Sequence, residues 1–195
     1  MSSTTFVDGT TLIVASWLND VNTAVYTTIP GLPPPGISVT NSAVVASTSG
    51  TAIDFTGIPS TAKRVVLQLN QVSTNGTGSI LVQMGSSSGG IETSGYVGTG
   101  GFWGASALYT NLTAGFTDAT QGATNIRTGV YEFYLVSTTT NTWICSSRGA
   151  FSDVAYNWGG GGIKSLTSTL DRIRITTVGG ANTFDNGSVN ISWIA

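Results

Sequence analysis

The chain has 195 residues, enough for one domain with an appendage, and only 8% of them are charged, against roughly 25% in an ordinary soluble domain. Seven Lys and Arg oppose nine Asp and Glu, for a net charge of −2, while Ser, Thr and Gly make up about two-fifths of the chain. Such a chain cannot present the cation cluster that phosphate binding requires, so we expect no nucleic-acid partner.

The sequence also argues against a membrane span and a disulfide framework. No apolar run approaches the ~18 residues of a membrane span, so we expect no membrane partner. The first residues carry no basic stretch followed by an apolar core, and we therefore expect no secretion signal and synthesis in a cytoplasm. Cys145 is the single cysteine, which rules out an intrachain disulfide. Its neighbours Trp143 and Ile144 favour a buried, structural thiol.

The first element predicted along the chain is a short amphipathic helix. Val14, Leu18, Val21 and Val25 recur at intervals of four, three and four residues, which places them on one helical stripe. Trp17 widens that stripe. A helix of about three turns is too short to be stable alone in water, so it must pack onto something.

The helix runs into a proline-rich spacer. Residues 30–36 read PGLPPPG, and three successive prolines favour an extended, semi-rigid polyproline II segment. The sequence therefore predicts an N-terminal anchor over residues 1–36 and a β-sandwich domain over residues 37–195. A stiff spacer favours docking of the helix onto another molecule, and the alternative is a helix that folds back to cap the β domain.

From residue 37 onward the hydrophobic period changes from 3.6 to 2, which indicates β-strands. In DRIRITTV, for example, Ile173 and Ile175 alternate with Arg172 and Arg174. The same alternation predicts strands in RVVLQLNQV, SILVQMG, GVYEFYLVS, TWICSS and SVNISWI. Short strands bounded by turn residues predict a mainly β fold, an antiparallel β-sandwich or jelly roll.

Two kinds of glycine-containing segment are predicted to lie between the strands. The Asn-Gly pairs at residues 75–76 and 186–187 predict tight hairpin turns, since this dipeptide favours the backbone of a two-residue hairpin loop. Residues 85–129 are rich in glycine and alternate weakly, so we expect long loops there.

Residues suited to catalysis are few. The chain has no histidine, which removes the commonest general base and metal ligand. The carboxylates are scattered, and Asp153 and Asp171 are a pair that could meet in space as in a glycosidase. The glycine stretches 98–104 and 159–162 lack the strand, helix and lysine of a phosphate loop. We therefore expect no enzyme activity, no cofactor and no metal site.

Aromatic residues in the glycine-rich stretches are the candidates for recognition. Flat rings on flexible loops, with Ser and Asn nearby, suit sugar faces or protein partners. The alternative is that these rings close the ends of the sandwich or pack between subunits. The candidate receptor-binding residues are Tyr96, Phe102, Trp103, Tyr109, Tyr156 and Trp158.

Parts of the chain resemble phage tail proteins. Residues 4–26, TTFVDGTTLIVASWLNDVNTAVY, are similar to the N-terminal segment that attaches bacteriophage tail fibres and tailspikes to the virion. Residues 50–98 and 170–194 resemble a β-rich module that recurs in phage and prophage tail proteins. These stretches together cover about half of the chain.

The resemblance implies a virion structural protein, a homotrimeric tail fibre. Its N-terminus would bind an adaptor- or nozzle-type tail protein, and its β domain would recognise a host-surface glycan or protein. Many tailspikes carry a long enzymatic β-helix between such ends, and this chain has only the proline spacer there. The alternatives are a stand-alone carbohydrate-binding β-sandwich module, a capsid or tail decoration protein, and an enzyme acting on surface polysaccharide. The implied tail-anchor residues are Phe6, Val14, Trp17, Leu18, Val21 and Val25.

Overall fold

The computed structural model describes residues 15–23, 38–119, 122 and 125–195. The chain divides into two compact units, Met1–Ile37 and Ser38–Ala195. In the first unit, helix α1 spans Ala15–Thr23 and lies within the predicted helical segment. No helix in the described ranges has the length and apolar content needed to cross a membrane.

The described part of the second unit consists of β-strands in two antiparallel sheets that face each other as a sandwich, which confirms the predicted fold class. The strands are β1 (Val39–Asn41), β2 (Val45–Ala46), β3 (Ala52–Thr56), β4 (Arg64–Thr74), β5 (Ile80–Ser86), β6 (Gly90–Ile91), β7 (Tyr96–Trp103), β8 (Ala107–Leu112), β9 (Phe116–Thr117), β10 (Arg127–Ser137), β11 (Thr142–Phe151), β12 (Asn157–Ser165), β13 (Leu170–Thr177) and β14 (Phe184–Ile194).

The two sheets differ in size. Sheet A has nine strands in the order β1-β14-β4-β10-β11-β12-β7-β8, and β2 pairs with β14 beside β1. Sheet B has five strands in the order β3-β13-β5-β6, and β9 pairs with β5 beside β6. Sheet A therefore ends at β8 on one side and at β1 and β2 on the other.

The core lies between the sheets and follows the predicted alternation. In β13, Ile173 and Ile175 are fully buried, as predicted. On the opposite face of β13, Arg174 donates two hydrogen bonds of 2.7 Å to the carboxylate of Asp54 on β3. Cys145 is buried as predicted, and its burial raises the pKa of the thiol well above its usual range. Each large apolar side chain buried in this way contributes about 1.5–3 kcal/mol.

A buried ion pair joins the residue that follows β9 to the first residue of β10. Arg127 Nε pairs with the carboxylate of Asp118, and neither side chain is exposed to solvent. Asp118 also accepts a hydrogen bond of 3.0 Å from the backbone N–H of Ile80, and Arg127 donates one of 2.9 Å to the carbonyl of Asn125. Asp118 therefore links the start of β10 to β5, and removing either partner of the pair would leave an uncompensated buried charge.

Both Asn-Gly hairpin predictions are wrong. Residues 75–76 connect β4 in sheet A to β5 in sheet B, and Gly76 lacks the positive φ that a tight hairpin turn requires. Gly187 has a φ of +90° but lies inside β14, where the register against β4 shifts. The register shift shows that Asn186 and Gly187 form a β-bulge. The Asn186 side chain there donates a hydrogen bond of 2.8 Å to the carbonyl of Gln71.

The prediction of long loops over residues 85–129 is also wrong. Four strands, β6 to β9, lie in this region, and β7 and β8 form a regular hairpin without a register shift. The glycine run 159–162 is likewise part of β12 and pairs with both β11 and β7. Glycine-rich sequence here forms sheet because the neighbouring strands supply the hydrogen bonds.

Candidate functional site

Three of the six candidate receptor-binding aromatics are core residues, which corrects their predicted place on exposed loops. Tyr96, Phe102 and Trp158 retain 2%, 1% and 0% of their exposure and lie in β7 and β12. Their side chains point between the sheets because they occupy the inward positions of their strands. They cannot contact a receptor from these positions.

The hydroxyl of Tyr96 forms hydrogen bonds with backbone groups near the edge of sheet B. Its hydroxyl accepts a hydrogen bond of 2.7 Å from the backbone N–H of Met84 and donates one of 2.9 Å to the carbonyl of Glu92. Met84 lies on β5 between the residues that pair with β9 and those that pair with β6. The phenol therefore closes a gap in the strand pairing of β5, and burial raises the pKa of Tyr96 well above its usual range.

The ring of Trp158 packs against glycine residues on the neighbouring strands. Its ring lies against Gly129 and Gly149, and a Cβ atom placed on Gly129 would approach Trp158 Cζ2 to 2.6 Å. The indole N–H donates a hydrogen bond of 3.3 Å to the carbonyl of Ala150, and the ring of Tyr131 lies 5.3 Å away between centroids. Both the ring and the N–H of the indole therefore have partners within the protein.

Trp103 and Tyr109 are exposed, with 43% and 63% of their surface accessible. Both lie on the outer face of sheet A, meaning the face turned away from the core. A Cβ on Gly159 would stand 3.0 Å from Trp103 Cη2, and one on Gly101 would stand 2.6 Å from Tyr109 Cδ1. Each ring therefore rests on a glycine, and we call Trp103 and Tyr109 the aromatic platform.

The register of sheet A places a cation beside this platform. Arg148 pairs with Gly159, Gly159 with Gly101, and Gly101 with Tyr109, so these four residues form one row across β11, β12, β7 and β8. The two glycines between Arg148 and Tyr109 leave a floor made of backbone. The arrangement provides apolar ring faces and one guanidinium group above a floor of paired backbone.

The charge beside the platform is held by a buried carboxylate. Glu132 on β10 accepts hydrogen bonds of 2.7 Å from Arg148 and 2.6 Å from Arg64. The hydrogen bond from Arg148 lowers the pKa of Glu132 below its usual range; burial opposes this effect, and Arg64 adds to it. The same pairing raises the pKa of Arg148, so the guanidinium group keeps its charge at every accessible pH.

Tyr156 lies next to Asn157, the partner of Trp103 in β7, and packs against the core. It is half-buried and packs on Phe102 with ring centroids 5.4 Å apart. Its hydroxyl accepts a hydrogen bond of 3.4 Å from Ser106, which lies between β7 and β8. Trp103, Tyr109 and Tyr156 are thus the three candidate aromatics that the fold brings together at one end of the sandwich.

Sequence reasoning missed Arg148, Gly101 and Gly159 as parts of this surface. Arg148 is 39 residues from Tyr109 in the chain, and strand register alone aligns them. The alternation in TWICSSRGAF, which places Arg148 on the face opposite Cys145, was a usable signal for its outward position. No sequence signal identified the order of β11, β12, β7 and β8.

The acidic residues considered for catalysis have local structural partners. Asp153 accepts hydrogen bonds from the backbone N–H of Ile126 at 2.9 Å and from the Asn125 side chain at 3.3 Å. Asp171 pairs with its neighbour Arg172 at 2.7 Å. Within the described residues, no group of three or more His, Cys, Asp or Glu side chains could hold a metal ion.

The predicted tail-anchor residues are described only in part. Leu18 and Val21 lie on α1 with 52% and 38% of their surface accessible, so the helix presents apolar side chains outward. Phe6, Val14 and Val25, together with the side chain of Trp17, lie outside the described part of the chain.

Comparisons with protein-family profiles, with curated proteins and with solved structures gave no match.

Proposed function

We propose that this chain is a non-enzymatic virion protein, a phage tail fibre that attaches through its N-terminal segment and displays the β domain for recognition of the host surface. The observation that carries the proposal is the polarity of sheet A. Val39, at the start of the β domain, shares a cross-strand row with Val97, the second residue of β7, whereas Trp103 is the last residue of β7. The chain therefore enters at one end of the sheet, and the aromatic platform lies at the other end, about 20 Å further along the strand direction.

The helix and the aromatic platform have surfaces that suit different partners. Exposed Leu18 and Val21 on α1 give an apolar helix face that suits a groove on a tail protein. The platform offers flat rings and Arg148, which suit a host glycan or a protein loop. A fibre of this type is proposed to assemble from three copies in the virion, with no cofactor.

A binding assay on the bacterium that the phage infects tests the distal end. We expect Trp103→Ala and Tyr109→Ala each to weaken binding of the fluorescently labelled protein to these cells by about tenfold or more, as for an aromatic anchor worth ~1.4 kcal/mol. Val178→Ala is the matched control, because Val178 is 53% exposed and lies outside the platform. Unchanged binding by both platform variants would remove the recognition role from this surface.

Attachment to purified tails tests the proximal end. We expect the double variant Leu18→Asp, Val21→Asp to lose cosedimentation with tails that lack the fibre, because two carboxylates on the helix face cannot enter an apolar groove. Both side chains are exposed, so the thermal unfolding midpoint should not change. Full attachment by the double variant would refute the anchor assignment of α1.

A second candidate function is a stand-alone carbohydrate-binding module, which the aromatic platform itself favours. Tight binding of a monomer to a glycan array, combined with no attachment to tails, would select it over the fibre. A decoration protein would attach to virions and bind neither cells nor glycans.

A further inference from the structure

The outward-facing charges of sheet A are unequal in number. Arg64 and Arg148 share the single carboxylate of Glu132, at 2.6 Å and 2.7 Å. Across β4, β10, β11, β12, β7 and β8 the outer face therefore carries two positive charges and one negative charge, a net charge of +1, although the whole chain has a net charge of −2. Each of the other arginines has a carboxylate of its own: Arg127 pairs with Asp118, Arg172 with Asp171 and Arg174 with Asp54.

Arg148 is the more accessible of the two arginines that share Glu132. Its side chain is 66% exposed, against 39% for Arg64, whose guanidinium carbon lies 5.4 Å from the centre of the Tyr134 ring. Arg148 bonds Glu132 through Nη1, and a guanidinium group has five N–H donors. Most donors of Arg148 are therefore open to a ligand.

The guanidinium side chain and the larger ring of the aromatic platform border the same glycine. A Cβ atom placed on Gly159 would stand 3.0 Å from Trp103 Cη2 and 3.5 Å from Arg148 Cα. Both residues lie on the outer face of sheet A, and Gly159 itself has no side chain to separate them. A ligand that lies on the Trp103 ring is therefore within reach of Arg148.

The nearest carboxylates other than Glu132 lie away from this point. Asp185 is on β14, three strands from β11, and accepts a hydrogen bond from Ser73. Asp153 follows the end of β11, ~10 Å or more along the strand direction from Arg148, and accepts a hydrogen bond from the backbone N–H of Ile126. Exposed charges at such separations are largely screened at physiological salt, so a ligand on the platform meets a positive charge.

The row that contains Arg148 continues beyond it with polar side chains. Arg148 pairs with Val130 on β10, Val130 with Gln68 on β4, and Gln68 with Asn190 on β14. Gln68 and Asn190 are half-buried, and their amide groups can donate to and accept from hydroxyl groups. From Tyr109 to Asn190 the row crosses seven strands and is about 29 Å long, which suits an extended ligand.

We propose that the ligand of the aromatic platform is an acidic saccharide, with a sugar ring on Trp103 and its carboxylate or phosphate group on Arg148. This inference rests on the proposed function, recognition of the host surface by the β domain, and names the chemical class that is recognised. The planar guanidinium fork forms charge-assisted hydrogen bonds with both kinds of anion.

A peptide fits these contacts less well than an acidic sugar. A sugar acid holds an apolar ring face and an anionic group on one rigid ring, so a single unit can contact Trp103 and Arg148 together. A peptide needs two ordered side chains to supply the same two groups, and ordering them costs free energy. A neutral sugar leaves Arg148 without a role.

Surface polysaccharide purified from the host bacterium and immobilised on a biosensor tests the role of Arg148. We expect Arg148→Gln to weaken binding of the full chain tenfold or more, and Arg148→Lys, which keeps the charge, to weaken it less. Lys63→Gln is the matched control, because Lys63 is exposed and precedes β4 at the end where the chain enters. It should bind within about twofold of wild type, and so should Arg148→Gln if the inference is wrong.

Chemical treatment of the same polysaccharide tests the anion directly. Reduction after carbodiimide activation converts carboxylates to alcohols, and hydrofluoric acid removes phosphate groups. We expect one of the two products to compete at least tenfold less well than native polysaccharide for the wild type, and equally well for Arg148→Gln. Loss on reduction identifies a carboxylate, and loss on acid treatment alone identifies a phosphate.

Two results would overturn the inference and leave the proposed function in place. One is undiminished competition by both treated forms, which would make the ligand a neutral saccharide. The other is binding of the wild type to host cells but not to their purified polysaccharide, which would make the receptor a protein. Failure of the proposed function is a different result, because the wild type and the Trp103→Ala and Tyr109→Ala variants would then bind the cells equally.

Discussion

The hydroxyl of Tyr96 offers a sharp test of how sheet B is completed. Tyr96→Phe keeps the ring and its edge contact with Phe116, whose centroid lies 5.1 Å away, and removes the oxygen alone. The buried N–H of Met84 then loses the acceptor at 2.7 Å, and the carbonyl of Glu92 loses its donor. Leaving a buried donor without a partner costs about 1–3 kcal/mol. For a chain of this size, 2 kcal/mol lowers the thermal midpoint by about 4–8 °C.

Urea unfolding followed by tryptophan fluorescence measures this effect. The midpoint should fall while the dependence on urea concentration stays the same, since the area exposed on unfolding does not change. Tyr109→Phe removes the same atom from an exposed ring and should change stability by less than about 0.5 kcal/mol. Equal stabilities of Tyr96→Phe and Tyr109→Phe would refute the conclusion that Tyr96 closes the gap in β5.

Two further predictions concern the core and pH. Gly149→Ala should destabilise the protein by about 1–3 kcal/mol in the same urea assay, because its Cβ would overlap the Trp158 ring and the backbone of Thr128; wild-type stability would contradict the close packing. Glu132 has a lowered pKa in the folded state, so its pairing stabilises the protein above the unfolded pKa of about 4.3, and that stability is lost as the pH falls through the lower folded pKa. Between pH 6 and 3 the urea midpoint of the wild type should therefore fall more than that of Glu132→Gln, and parallel curves would contradict this role.

The strands with alternating side chains could be predicted because each inward residue is large and apolar. In β4 the buried residues Val65, Leu67 and Leu69 alternate with Val66, Gln68 and Asn70, and the pattern is enough to define the strand and its inner face. This information is local to the strand. It defines the fold class but carries nothing about which strands are neighbours.

The glycine-rich strands could not be predicted for a physical reason. Glycine has no side chain, so residues 98–101 of β7 and 159–162 of β12 show no alternation even though they are paired throughout. The sequence therefore predicts loop positions for the aromatics beside them, Phe102 and Trp158, which the structure places in the core. The burial of Trp158 depends on Gly129 and Gly149 on other strands, which only the register brings into contact.

The candidate site shows the same division between local and long-range information. The exposure of Trp103 and Tyr109 agrees with their prediction as surface aromatics, since glycine-rich surroundings leave few side chains to cover them. The place of Arg148 in their row depends on three successive strand pairings. The sequence pattern could show that Arg148 points outward and could not show what lies beside it.

The glycine floor beneath the aromatic platform separates the residues that would bind from the residues that fold. Trp103 and Tyr109 rest on the backbone of Gly159 and Gly101, and no core side chain has to move when either ring is replaced. For a protein of the proposed function, such a surface can accumulate changes in host range at little cost in stability. The glycines below it cannot vary in the same way, because any side chain there would lift the ring or separate the strands.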